Sequence, residues 1–202
     1  MNHLRHAGAS PEVQRREAET IIRAAPPLMR ALTALRAADL PDGWLVSGAL
    51  YCNIWNALTG RPWDYGVKDY DVFYHDDADL TYEAEDAVIR RAAPAFAAKP
   101  PVEIRNQARV PLWYEAHFGR PCPPIRSSRE AIDRFAARTH CIGARLTGET
   151  LEIYAPYGLD DVFGFRLTPN PVLDNHETHE RKAARQTACW PELAVVPWPE
   201  RA

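Results

Sequence analysis

The spacing of hydrophobic residues predicts that the chain begins with two helices. From residue 11 to residue 40, apolar side chains recur about every 3.6 positions with charged residues between them, which is the pattern of an amphipathic helix. Pro26 and Pro27 interrupt this run. Because proline has no N–H to donate and its ring clashes with the preceding turn, we expect one helix to end before them and a second to follow. Pro41-Asp42-Gly43 is a turn signal that closes the segment.

Beyond that turn, short apolar or alternating segments predict strands, and longer periodic segments predict helices. The predicted strands cover residues 44–47, 70–74, 102–110, 141–146 and 151–154. The last two strands form a hairpin around Thr147-Gly148-Glu149. The predicted helices cover residues 49–58, 81–93, 112–118, 128–138 and 157–165, with a weaker helical stretch at 177–186. This alternation of helices and strands indicates a mixed α/β or α+β fold.

The length of 202 residues suits one domain with a small appendage. We expect residues 1–43 to form an N-terminal helical segment and residues 44–170 to form the main domain. Residues 171–202 are rich in proline and charge. We expect this C-terminal tail to pack on the domain or to be partly disordered.

Composition and charge argue against several classes of protein. Hydrophobic residues make up 46% of the sequence, which is enough for a substantial core, and the net charge is −3 without a basic tract. Tight binding to duplex nucleic acid depends on clustered lysine and arginine and is therefore not expected, whereas weaker or local contact with a nucleic acid stays open. The four cysteines include no C-x-x-C pair, so neither a zinc site nor a disulfide framework is predicted.

Signals for a membrane or for export are not seen in the sequence. It has no run of 18 apolar residues, and the first residues, Met-Asn-His-Leu-Arg-His, lack the hydrophobic centre of a signal peptide. We therefore expect no membrane partner, a cytoplasmic location and reduced cysteines.

The most informative segment is the predicted strand at residues 70–74 together with the residues that lead into it. Asp69 and Asp71 are two positions apart, and residues i and i+2 of a strand point to the same face of a sheet. Two carboxylates held side by side repel each other, and a shared cation relieves the repulsion. Carboxylate oxygens are hard ligands that suit Mg²⁺. The alternative is structural, with Asp69 capping the strand and Asp71 paired with a nearby arginine.

A turn upstream of this pair points to a phosphate ligand. The predicted strand at residues 44–47 ends in Ser47-Gly48 and leads directly into a helix. Glycine lets a ligand approach the backbone closely, and a helix N-terminus offers free N–H groups and a partial positive charge to phosphate. Ser47 and Gly48 are therefore predicted to bind phosphate, with an ordinary tight turn as the alternative.

Two downstream acids compete for the role of a third carboxylate. Glu103 lies on the predicted strand at residues 102–110, where it would share a face with Arg105 and Gln107. Glu152 lies on the later strand at residues 151–154. Glu103 is preferred because it follows on the next strand, with an exposed edge-strand residue as the alternative. The choice between Glu103 and Glu152 stays open.

Ser47-Gly48, a helix, Asp69-Tyr70-Asp71 and then Glu103 resemble the motif of the DNA polymerase β-like nucleotidyltransferase superfamily. That motif is Gly-Ser or Gly-Gly, then Asp-x-Asp or Asp-x-Glu, then a third acid on a later strand. Residues 47–171 are also similar to a bacterial family of nucleotidyltransferase-like proteins. The stretches that carry this similarity are residues 57–62, 68–74, 102–110 and 151–158. The resemblance implies a small mixed β-sheet flanked by helices, and it implies no particular substrate.

The chain departs from the superfamily motif at the first turn. Ser47 precedes Gly48, whereas the superfamily has glycine first. Aligned on its glycine, the motif falls on Gly48-Ala49, and alanine lacks a hydroxyl that often contacts phosphate. Backbone N–H groups can still bind the phosphate.

The resemblance implies a two-metal transfer of an NMP from an NTP to a hydroxyl. One ion would orient the triphosphate and stabilise the leaving pyrophosphate, and the other would lower the pKa of the acceptor hydroxyl. Two Mg²⁺ ions are expected, with Mn²⁺ as an alternative. The expected metal ligands and catalytic residues are Asp69, Asp71 and Glu103. The candidates for contacts to the nucleotide phosphates are Ser47, Gly48, Lys68, Arg105 and Arg109. For the three basic residues, surface salt bridges are the alternative.

Three functions stay open at this point. The first is a transferase that uses an NTP and an acceptor of unknown kind, which could be a small molecule, a protein or an RNA. The second is a catalytically inactive nucleotide-binding or interaction protein that retains the fold; Ala49 favours it and the three acids count against it. The third is a component of a toxin–antitoxin pair, on which the composition decides nothing.

Overall fold

The computed structural model describes residues 2–97 and 99–199. The helices are α1 (Pro11–Ala24), α2 (Pro26–Ala38), α3 (Gly48–Thr59), α4 (Tyr82–Ala92), α5 (Val110–Phe118), α6 (Ser128–Ile132), α7 (Asp160–Phe163) and α8 (His176–Cys189). The strands are β1 (Trp44–Val46), β2 (Tyr70–Tyr74), β3 (Val102–Asn106), β4 (Gly143–Thr147), β5 (Thr150–Tyr154), β6 (Arg166–Leu167) and β7 (Ala194–Val195). Within these two ranges, none of the helices is long and apolar enough to cross a bilayer.

Among the described residues, five strands form a mixed sheet in the order β3-β2-β1-β4-β5. Strand β1 pairs antiparallel with both β2 and β4, and β4 and β5 form the predicted antiparallel hairpin. Strands β2 and β3 are parallel, which requires the long crossover that contains α4. The prediction of a small mixed sheet flanked by helices is confirmed.

The two faces of strand β2 have different surroundings. Tyr70, Val72 and Tyr74 are buried and join the main hydrophobic core, to which α1, α2 and α3 contribute. Asp71 and Phe73 lie on the opposite face and are only partly buried. The strand therefore places a carboxylate on the face of the sheet that the main core leaves open.

Three predicted elements are shorter than the sequence pattern suggested. The strand predicted to reach residue 110 ends at Asn106, because the Asn106 side chain accepts a hydrogen bond from the Ala108 N–H (3.1 Å) and starts a 3₁₀ turn. Gln107 is consequently not on a common strand face with Glu103. The helix predicted to reach residue 138 ends at Ile132, where Asn170 binds the carbonyl groups that follow. The helix predicted for residues 157–165 is the single turn α7.

The C-terminal helix α8 is fastened to α3 by a buried tryptophan. Trp190 follows α8, and its indole N–H donates to Asn56 Oδ1 (3.0 Å). The ring lies against Gly66, whose φ of +67° belongs to the left-handed region that favours glycine. A Cβ at Gly66 would overlap the Trp190 ring, so this glycine is required both for its backbone conformation and for the docking of α8.

Gly66→Ala is expected to destabilise the protein by about 2–4 kcal/mol, the sum of left-handed strain and overpacking against Trp190. The matched control is Gly158→Ala, at a similar φ of +74° with nothing within 4 Å of the added Cβ, and it carries only the strain of about 1 kcal/mol. Urea unfolding of both variants measures the difference. Equal losses would show that the Trp190 contact is not a constraint.

Candidate functional site

The register of three neighbouring strands gathers the predicted acids at one place. Asp71 stands opposite Glu103 in the parallel pair of β2 and β3. On its other side Asp71 stands opposite Val46, the residue before Ser47. The result is an open cleft of about 420 Å³, lined by Ser47, Gly48, Tyr51, Lys68, Asp69, Asp71, Glu103, Arg181, Lys182 and Arg185.

Negative charge accumulates in this cleft. The pKa of Asp71 is raised to about 6, mainly by burial and also by the charges of Asp69 and Glu103. Lys182 and Lys68 oppose this effect. The three carboxylates are therefore close enough to repel one another through the cleft.

Two of the three carboxylates also contact a neighbouring cation. Asp69 Oδ2 lies 3.0 Å from Lys68 Nζ, and Glu103 Oε2 lies 3.8 Å from Arg105 Nη2. Across residues 2–97 and 99–199, no three His, Cys, Asp or Glu side chains form a group that could hold a metal ion as they stand. The acids share the cleft without converging on one point.

The structure separates the two candidates for the third acid. Glu152 lies on β5, at the opposite edge of the sheet from β3, and is paired with Arg129 and Arg145. Glu103 is the acid beside Asp71, and 48% of its side chain is exposed to the cleft and solvent. Chain order alone could not decide this, because both acids follow Asp71 on later strands.

The predicted phosphate ligands have different positions. Lys68 lines the cleft, whereas Arg105 lies beside Glu103 and lines a neighbouring cavity. Arg109 is not brought to the cleft: its guanidinium pairs with Glu85 and donates to the Leu80 carbonyl (3.0 Å). Arg109 lies in the 3₁₀ turn that follows β3, not on the strand predicted to reach residue 110.

The turn at Ser47 has an unusual backbone. Ser47 is buried and has φ +55° and ψ −117°, a region that glycine enters far more easily than other residues. Its N–H donates to the Ile142 carbonyl (2.8 Å), and its own carbonyl accepts from the N–H groups of Leu50 and Tyr51 at the start of α3. The conformation that favours glycine thus falls on Ser47, one residue earlier than the alignment on Gly48-Ala49 placed it.

Sequence reasoning missed three basic residues of α8 that line the cleft, namely Arg181, Lys182 and Arg185. Their spacing of i, i+1 and i+4 places them along one side of a helix, and this was the available signal. Burial lowers the pKa of Lys182 and the charge of Asp71 raises it, with burial the larger effect. In the part of the chain that the structure describes, the Lys182 ammonium makes no hydrogen bond and no ion pair within 4.0 Å.

A buried hydrogen-bond network holds α8 against the turn. Gln186 is fully buried, and its Nε2 donates to the Tyr51 hydroxyl (2.6 Å). Its Oε1 lies 3.0 Å from His140 Nε2, and burial lowers the pKa of His140 well below its usual value, so a neutral ring donates this bond. The Tyr51 N–H in turn donates to the Ser47 carbonyl (3.2 Å). The network links the basic helix to the turn at the head of α3.

A family profile described as nucleotidyltransferase matches residues 33–195. An NMR structure described as revealing a CCA-adding enzyme head domain has 26% sequence identity and a TM-score of 0.70. The match covers 91% of this chain and 96% of that chain. No curated protein matches.

The matched region contains every residue that lines the cleft, from the turn at Ser47 to Arg185 on α8. The fold agrees with the profile, since the five-stranded sheet and its helices superimpose on a nucleotidyltransferase head domain. The chain therefore belongs to the nucleotidyltransferase family and has its DNA polymerase β-like fold.

Proposed function

We propose that the protein transfers an NMP from an NTP to an acceptor hydroxyl with the help of metal ions at Asp69, Asp71 and Glu103. Membership of the nucleotidyltransferase family supports NMP transfer in general. The observation that carries the metal-dependent form is the strand register, which sets Asp71 beside Glu103 next to the Ser47 turn and leaves the pKa of Asp71 raised to about 6.

The carboxylate oxygens of Asp69, Asp71 and Glu103 are the type of ligand that Mg²⁺ prefers. Asp71 is the fixed ligand, since it is partly buried in the middle of the sheet. Asp69 and Glu103 would turn from Lys68 and Arg105, and the half-exposed Glu103 side chain is free to do so. When bound, the ions neutralise phosphate charge and lower the pKa of the acceptor hydroxyl.

The chain's own groups would hold the triphosphate. The first N–H groups of a helix have no partner within the helix. At α3 the N–H groups of Leu50 and Tyr51 already bond to the Ser47 carbonyl, so those of Gly48 and Ala49 are the ones directed to a phosphate. A missing hydroxyl at Ala49 then has little effect. Ser47 takes the place of the first motif glycine, and Gly48 takes the second.

Positive charge on α8 complements the N–H groups of the turn. Arg181 and Arg185 are exposed and line the cleft, and Lys182 lines it within the range of the Asp71 charge. Arginine can bind phosphate through two N–H donors at once. We assign these residues to the β- and γ-phosphates and to the leaving pyrophosphate.

The first ligands to test are CTP and ATP with an RNA 3′ end as acceptor. This choice rests on the structural similarity to a protein described as a CCA-adding enzyme head domain. A non-catalytic nucleotide-binding protein is the second candidate. One observation favours it. In the described part of the chain, the three carboxylates are not grouped closely enough to hold a metal ion as they stand.

Asp71→Asn is expected to reduce transfer of labelled NMP about a thousand-fold or more, because the fixed metal ligand loses its charge. The matched control is Asp77→Asn, an exposed aspartate just beyond the same strand, which should retain full activity. The assay uses purified protein, labelled NTP, Mg²⁺ and the RNA acceptor. Transfer that persists in Asp71→Asn would rule out the metal assignment.

The raised pKa of Asp71 predicts a pH-dependent stability. The unfolded chain releases this proton near pH 3.8 and the folded chain near pH 6, so the free energy of unfolding falls as the pH rises from about 4 to 6 and stays lowered above it. The contribution is on the order of 2 kcal/mol. Without metal, Asp71→Asn should match the parent protein near pH 4 and exceed it in stability at pH 7.5.

Urea unfolding at the two pH values tests this, and Mg²⁺ should stabilise the parent protein more at pH 7.5 than at pH 5 because the ligand must be ionised. If the free energy of unfolding depends on pH in the same way in the parent and in Asp71→Asn, the pKa of Asp71 is not raised in the folded protein.

Arg185→Gln is expected to weaken NTP binding about tenfold through the loss of one charge-assisted hydrogen bond. The control is Arg16→Gln on α1, which removes an exposed arginine outside the cleft and should leave the Kd unchanged. Isothermal titration with NTP and Mg²⁺ measures both. Equal Kd values for the two variants would exclude α8 from the phosphate site.

A further inference from the structure

A second cavity adjoins the cleft on the same face of the sheet. It measures about 260 Å³, and its floor is formed by Phe73 and Phe135, which stack with 5.5 Å between ring centroids and 22° between planes. Helix α5 contributes further aromatic side chains to its wall, namely Trp113, Tyr114 and Phe118. Trp113 is 44% exposed, so one of these rings is accessible to a ligand.

The cavity continues directly from the acidic cleft. Phe73 follows Asp71 by two residues on the same face of β2, and a strand rises about 3.3 Å per residue, so the aromatic floor begins about 7 Å beyond the carboxylate. Lys182 lines both cavities. Its Nζ lies 5.5 Å from the centroid of the Phe135 ring, while its charge acts on Asp71.

The two cavities differ in charge. Of the described residues that line the aromatic cavity, none is a carboxylate, and three are basic: Arg105, Arg134 and Lys182. Gln107, Asn175 and Thr178 add polar atoms to its wall. Aromatic rings with a few polar groups suit a planar ring system that presents hydrogen-bonding edges.

We propose that the aromatic cavity binds the nucleobase of the NTP, whose phosphates lie over Asp69 and Asp71. The inference rests on the proposed function, because it places the triphosphate in the cleft. In a nucleotide, the ribose lies between the base and the α-phosphate. The distance of about 7 Å along the strand between Phe73 and Asp71 leaves room for this ribose. The volume of about 260 Å³ is near the lower end of the roughly 300–1,000 Å³ of sites for drug-sized ligands, a size that suits one base. Trp113 would stack on the base.

The experiment compares the binding of CTP or ATP with that of inorganic tripolyphosphate, which has no base, by isothermal titration with Mg²⁺. The protein is expected to bind the NTP at least about tenfold more tightly than tripolyphosphate. Trp113→Ala should raise the Kd of the NTP about tenfold and leave the Kd of tripolyphosphate unchanged. Trp113→Phe retains a ring and should keep most of the affinity.

The matched control is Leu112→Ala, which truncates the neighbouring exposed residue of α5 (64% exposed) that does not line the cavity. Its Kd values should equal those of the parent protein. Circular dichroism verifies that all three variants are folded, which is expected because both positions are well exposed.

Each outcome decides between the two proposals. If the parent protein binds tripolyphosphate and NTP equally, or if Trp113→Ala weakens neither, the base lies elsewhere and only the inference is overturned. If the parent binds neither ligand, the proposed function fails and the inference fails with it. If Trp113→Ala leaves the NTP Kd unchanged but raises KM for an RNA acceptor, the cavity binds the acceptor's base and the assignment to the NTP is overturned.

Discussion

The repulsion among Asp69, Asp71 and Glu103 is the constraint on which the arrangement of the site depends. Strand pairing fixes the backbone of Asp71 between Glu103 and the Ser47 turn, so these residues stay neighbours even where their side chains turn apart. The surroundings must supply positive charge instead. They do so from two directions, with Lys68 beside Asp69 and the basic residues of α8 across the cleft.

Because α8 supplies positive charge to the carboxylates, the contacts that hold α8 in place matter for the site. Helix α8 gives the core few apolar side chains, Ala183 and Cys189, and it also docks through buried polar contacts, which are costly when left unpaired. Gln186 bonds to both Tyr51 and His140, and Trp190 bonds to Asn56. Because the Tyr51 N–H also donates to the Ser47 carbonyl, one network positions the Ser47 turn and the cations opposite it.

The sequence predicted what depends on local pattern and missed what depends on topology. Alternation along β2 was sufficient to place Asp71 on the face opposite Tyr70 and Val72, and Asp69, which precedes the strand, lines the same cleft. The proline pair divided α1 from α2. The choice of Glu103 over Glu152 needed the strand order, which no local pattern contains. Helix α8 was underestimated because its buried residues include His179 and Gln186, which leave no hydrophobic period to detect.

The charges of the cleft suggest how its ligands bind. Its three carboxylates stand against four basic residues, Lys68, Arg181, Lys182 and Arg185, so the site is close to neutral before any ligand enters. A cation alone would meet this positive charge, and a triphosphate alone would meet the carboxylates. An NTP together with its metal ions would add little net charge, because the ions would face the carboxylates and the phosphates would face the basic residues. Under the proposed function, the pairing of Asp69 with Lys68 and of Glu103 with Arg105 is the expected state of the free site, because bound phosphates would take over these cations and release the acids.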